Sequence, residues 1–170
     1  MPSPSDDDAN FLTAYGIIRG YVEDENRLTS ERISRTLLVH GFLIASFVIL
    51  VQAKVQMPDG AKPDDLLKVL LKFTLPMIGV MGIITSVAAL IGVSAASWAI
   101  DALDKRAELL KSSQTERWNK FSVPDATGGG SLRAKSWGRR SATGLLWSLL
   151  LFWFVISLLT LSPDWLSRFT

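Results

Sequence analysis

Cysteine is absent from this 170-residue chain. That excludes disulfides, thiolate metal sites and cysteine-borne lipid anchors. Histidine occurs once, at His40, so a metal site would need carboxylates to complete it. A third scarcity is local. The chain holds 18 Lys and Arg and 16 Asp and Glu, yet residues 36–53, 73–100 and 141–163 contain none of the four. These windows are 18, 28 and 23 residues long, and a helix needs roughly 20 mainly apolar residues to cross a hydrocarbon core. A helix buried in a soluble core keeps a polar stripe, whereas these windows are apolar all round.

The third window contains twelve strongly apolar residues between Leu145 and Leu161. They favour a bilayer by roughly 4–7 kcal/mol on the insertion scale, before polar residues are subtracted. The expected fold class is therefore all-α: an integral membrane protein with three transmembrane helices, at 36–55, 73–100 and 141–162. The acidic, proline-bearing start "MPSPSDDDANF" is unlike the basic start of a signal peptide, so the first span is expected to be retained.

Basic residues set the expected orientation. Thirteen Lys and Arg lie before the first span or between the second and third, against five elsewhere. The positive-inside rule then places the N-terminus in the cytoplasm and the C-terminus outside. Trp147 near one end of the third span and Trp165 with Phe169 beyond the other fit an aromatic belt.

The remaining segments follow from spacing and composition. Residues 1–10 are expected to be a disordered acidic N-terminus. In 11–35, Phe11, Tyr15, Ile18 and Val22 recur on one helical face, and Glu23 with Arg27 and Glu31 with Arg35 are favourable i,i+4 pairs. No proline interrupts residues 9–55, so one helix is expected to run from cytosol into membrane. Residues 56–72 read as an outer loop with an interfacial helix beginning at Pro63, which bends into the second span near Pro76. After that span, Ile100, Leu103, Ala107 and Leu110 form a second stripe in a cytosolic helix over 101–120. Pairing of the two stripes would hide both; resting on the lipid surface is the alternative. Residues 121–140, with Pro124 and three consecutive glycines, read as a flexible basic linker, and 163–170 as an outer tail. The run "TGGGS" lacks both the preceding strand and the Gly-Lys-Ser/Thr ending of a phosphate loop.

Catalysis needs a positioned acid, base, nucleophile or metal, and the windows supply little. His40 is the intramembrane polar residue. It is expected to make an interhelical hydrogen bond, or else to ring an axis with its copies in a symmetric oligomer. The lack of charge within the windows argues against a proton-coupled carrier. In the second span Gly79, Gly82, Thr85, Ala88, Gly92 and Ala96 are the candidate helix-packing or pore-lining residues, because small side chains let helices approach closely in lipid. Arg133, Lys135, Arg139 and Arg140 abut the third span and are candidates for contact with anionic lipid on the cytosolic side. That cluster is too short for nucleic acid, and no cofactor or metal is expected.

One segment adds a resemblance. Residues 21–50, "YVEDENRLTSERISRTLLVHGFLIASFVIL", carry Glu25, Arg27 and Leu28, then Arg32 or Arg35, then an apolar helix opening with the step Gly41 to Leu43. This pattern resembles a loose group of small, mostly uncharacterised bacterial inner-membrane proteins. The resemblance implies a bacterial inner-membrane address and no mechanism. The expected function is non-enzymatic: a self-associating inner-membrane protein that forms or regulates a pore or perturbs the bilayer. The alternative is an accessory subunit docked on a larger membrane-protein complex.

Overall fold

The computed structural model describes residues 6–55, 65–125 and 132–161, with side chains over 6–53, 73–125 and 140–161. Every described element is a helix: α1 (Asp6–Val55), α2 (Asp65–Ser113), α3 (Thr115–Lys120) and α4 (Leu132–Leu161). Three of them are long and apolar enough to cross a membrane. Pro63, the glycine run at 128–130 and the tail with Trp165 and Phe169 lie outside the described residues.

Three boundaries differ from those expected. The acidic start is helical from Asp6, with Asp6, Asp7 and Asp8 in the first turn, where carboxylates meet the positive end of the helix dipole. The outer helix and second span are one element, because α2 runs unbroken from Asp65 through Pro76. The basic linker is helical from Leu132. Leu132, Arg133, Ala134 and Lys135 are good helix formers, and only the glycines before them resist extension.

The helix faces follow a 3.5-residue period. On α2 an inward seam of buried and half-buried residues runs through Leu75, Gly79, Gly82, Ser86, Ala89, Val93, Ala96, Ile100, Leu103, Ala107 and Leu110, with further half-buried residues flanking it. The seam alternates steps of four and three, the pattern of left-handed helix packing. On α1 the seam is Asp8, Phe11, Tyr15, Ile18, Val22, Glu25 and Thr29, then Ile33, Thr36, His40, Leu43, Phe47 and Leu50. The step from Thr29 to Ile33 is four where the alternation calls for three. Thr29 Oγ1 at that slip is buried with no hydrogen-bond partner among the described residues.

The chain forms two compact units that divide close to this slip: Met1–Arg32 with Gly92–Ser141, and Ile33–Ile91 with Ala142–Thr170. In the first unit, Phe11, Tyr15, Ala107 and Trp118 make a small core, with Ile18, Leu110, Phe121 and Val123 packed against it. Tyr15 and Trp118 meet edge to face at 5.6 Å, and Phe11 packs on both Trp118 and Phe121. The Tyr15 hydroxyl donates to the Pro124 carbonyl at 2.8 Å. Both amphipathic stripes expected from the sequence thus meet inside one chain.

The turn after α3 keeps these aromatics in place. Val123 N–H bonds the Trp118 carbonyl and Ser122 N–H bonds that of Asn119, with Ser122 left-handed at φ 46°. This is a Schellman termination, and Val123 packing beside Trp118 is its usual hydrophobic contact.

Asp8 locks the arrangement. Its side chain is 8% exposed and receives Lys120 Nζ at 2.7 Å and Arg117 Nε at 3.3 Å. Asp7 also pairs with Arg117, but its side chain is 74% exposed. A buried acceptor of charged hydrogen bonds matters far more than a solvated one. Asp8→Asn is therefore expected to cost about 2 kcal/mol and to speed trypsin cleavage after Arg117 and Lys120. Asp7→Asn should behave as wild type. Indistinguishable digestion of Asp8→Asn and wild type would reject the lock.

Candidate functional site

The second unit contains a buried polar cluster within the apolar windows. His40 comes from α1, Ser86 from α2 and Trp153 from α4, and all three are buried. Trp153 Nε1–H donates to His40 Nδ1 at 2.7 Å. Ser86 Oγ lies 3.3 Å from His40 Nε2 and donates to the Gly82 carbonyl at 2.8 Å.

These bonds decide the imidazole tautomer. Indole N–H only donates, so Nδ1 must accept and carries no proton. A neutral ring then holds its proton on Nε2, which donates to Ser86 Oγ, while Ser86 spends its own proton on Gly82. The result is a one-way relay from Trp153 to His40 to Ser86 to the Gly82 carbonyl, with every buried donor and acceptor in it paired. It is the reverse of a nucleophile pair, in which the histidine accepts the serine proton. Ser86 and His40 in this arrangement tie helices together and do not activate an oxygen.

Two glycines make room for the relay. A Cβ on Gly82 would overlap the Trp153 ring, and one on Gly79 would overlap Ser157 Oγ and lie 3.4 Å from the Ser157 Cα. Because α2 shows no side chain at these points, α4 comes against its backbone and the indole reaches across to His40. Small residues in lipid-facing bundles serve this close approach.

The other expected site residues separate. Thr85 is half-buried and turns its hydroxyl back onto the Met81 and Gly82 carbonyls. Ala88 is exposed, Ala96 is buried and Gly92 is half-buried in the first unit, where a Cβ on it would lie 3.7 Å from Arg32 Cδ. A stripe read at i, i+4, i+8 drifts off the 3.5-period seam by one position, so Ala88 falls outside and Ala89 inside. Arg140 is exposed; the side chains of Arg133, Lys135 and Arg139 lie outside the described residues.

The sequence also leaves the helix register unread. Ser86 stands at the middle of the charge-free window 73–100 and Trp153 at the middle of 141–163, whereas His40 is the fifth residue of 36–53. The window of α1 is thus displaced relative to the other two by about a quarter of its length. Independently, in the first unit Arg32 Nη1 reaches the Gly92 carbonyl at 3.4 Å. Gly92 lies nine residues inside the α2 window from Asp101. The apolar windows themselves hold no charge, yet Arg32 lies alongside one. No sequence signal gives this, since register is set by which side chains interlock.

Comparison with protein-family models, with curated proteins and with solved structures finds no match for this chain.

Proposed function

We propose that the chain is a non-enzymatic, three-span protein of the bacterial inner membrane, N-terminus in the cytoplasm and C-terminus outside, that self-associates and perturbs or permeates the bilayer. One observation carries the reading: the second unit is filled at its centre and apolar on its outside. Trp153, Leu146, His40 and Ser86 are buried, so a passage would have to lie between copies. Outside, only 11%, 22% and 17% of the residues in the most apolar stretches of the three helices are buried. Leu38, Phe42, Met77, Ile84 and Leu151 are among those exposed, more large apolar side chains than the surface of a soluble monomer tolerates.

Self-association draws on α2, whose outward residues Met77, Met81, Ile84, Ala88 and Ile91 repeat at steps of four and three. That spacing suits a helix–helix seam. Reconstituted into liposomes, the protein is expected to release a small dye in proportion to cross-linked oligomer, and Ala88→Leu to reduce both. Vesicles that stay sealed at every protein-to-lipid ratio, for wild type and variant alike, would remove the pore reading. A monomer in detergent and in liposomes would favour the accessory-subunit alternative.

A further inference from the structure

The displaced α1 window has a consequence for the lipid. In the first unit, α1 and α2 run in opposite directions, since Arg32 meets Gly92 while Tyr15 packs with Ala107. Measured along α2, Gly92 is about 14 Å of helix from Asp101, the first charged residue toward that end. Trp98, 76% exposed, stands close to Asp101 and suits an interface residue on that helix. Arg32 therefore lies at a depth where α2 presents hydrocarbon-type residues. Glu31 and Arg35 are within one turn of it on α1, and all three side chains are exposed in the monomer.

From Leu37 onward the exposed face of α1 turns apolar, with Leu37, Leu38, Val39 and Phe42. Beside Gly92 in the first unit, the exposed face of α2 instead shows Ala95 and Trp98. Two helices of one chain thus ask for the edge of the hydrocarbon at different depths. Charged groups at a hydrocarbon depth are accommodated by snorkelling, local thinning of the bilayer and entry of water.

We propose that the bilayer is thinned beside α1 on the N-terminal side. The stretch 31–35 draws headgroups and water down to about the depth of Gly92, while beside α2 and α4 the hydrocarbon extends to its full height. The partner is the lipid surface itself, with phosphate oxygens and water accepting from Arg32 and Arg35 and water solvating Glu31, whether or not these side chains also pair with one another. This deepens the proposed membrane perturbation and rests on insertion of the three helices.

Because the chain contains no cysteine, single-cysteine variants at exposed positions report depth directly. Ser34→Cys, Ile91→Cys, Leu145→Cys and Ile84→Cys, with Ser112→Cys as the exposed reference, are reconstituted in vesicles. They are then treated with a membrane-impermeant maleimide. Access controls thiol reaction, so Ser34→Cys is expected within about threefold of Ser112→Cys, and Ile91→Cys and Leu145→Cys at least about tenfold slower. Protection of Ser34→Cys to the level of Ile91→Cys overturns the proposal and points to a covering partner helix. Rapid reaction of Ile91→Cys and Leu145→Cys together with Ser34→Cys also overturns it, because the whole slab edge is then displaced. Ile84→Cys separates the two levels: its own rapid labelling means that insertion has failed, and its protection leaves insertion intact.

Discussion

Gly82→Leu is expected to dismantle the three-helix unit, with a loss of at least about 3 kcal/mol. The side chain would enter space occupied by the Trp153 ring, and that ring cannot withdraw freely. Its Nε1–H is committed to His40, its edge packs on Phe152 at 5.2 Å between centroids, and its surface is fully buried. Protein interiors are close-packed, so the clash has to be relieved by separating α2 from α4. Gly41→Leu is the control, since a Cβ there meets nothing within 4 Å. Resistance to denaturing detergent, followed by tryptophan fluorescence, reads both. Gly82→Leu surviving to the same detergent fraction as Gly41→Leu would show that the close α2–α4 approach does not hold the unit together.

Trp153→Phe is the second large effect, and its signature is chemical as well as energetic. It keeps a six-membered aromatic ring but deletes the donor to His40 Nδ1 and leaves a small cavity at a fully buried site. Hydrogen bonds between helices in lipid contribute about 0.6 kcal/mol on average and up to about 1.7. Leaving a buried acceptor unmet adds to that loss, so about 1–2 kcal/mol is expected. The decisive readout is the nitrogen NMR of His40. Wild type should show a bare Nδ1 and a protonated Nε2. In Trp153→Phe nothing enforces that choice, so the Nδ1–H form should appear, with Nε2 then accepting from Ser86. An Nδ1–H signal already present in wild type would break the relay deduced from the distances. A double-mutant cycle of Trp153→Phe with Ser86→Ala should show coupling through the ring, because removing either partner changes what the other can hold.

Much of this architecture is legible along the chain. Three charge-free windows announce three long apolar helices, because length and uniform hydropathy are local properties. The face formed by Phe11, Tyr15, Ile18 and Val22 is legible for the same reason, and all four are buried or half-buried. Gly79 and Gly82 are visible as small residues in an apolar helix. That they receive Ser157 and Trp153 is not visible, since those partners lie some 70 positions away in the chain. Asp8 is harder still. It reads as one acid in a solvated run, and only Arg117 and Lys120, more than 100 residues distant, make it a buried lock.

Composition and periodicity by themselves determined that the chain is helical, where its apolar stretches begin and end, and, for the start of α1 and for α2, which stripe turns inward to within one position. Tertiary structure alone decided the register of those helices. It set His40 against the centres of two windows and Arg32 beside Gly92, and it directed the imidazole proton to Nε2. The reason is physical: transfer from water to an apolar surrounding is roughly proportional to area and indifferent to direction. Register and tautomer come from interlocking shapes and directed hydrogen bonds between residues that the sequence keeps far apart.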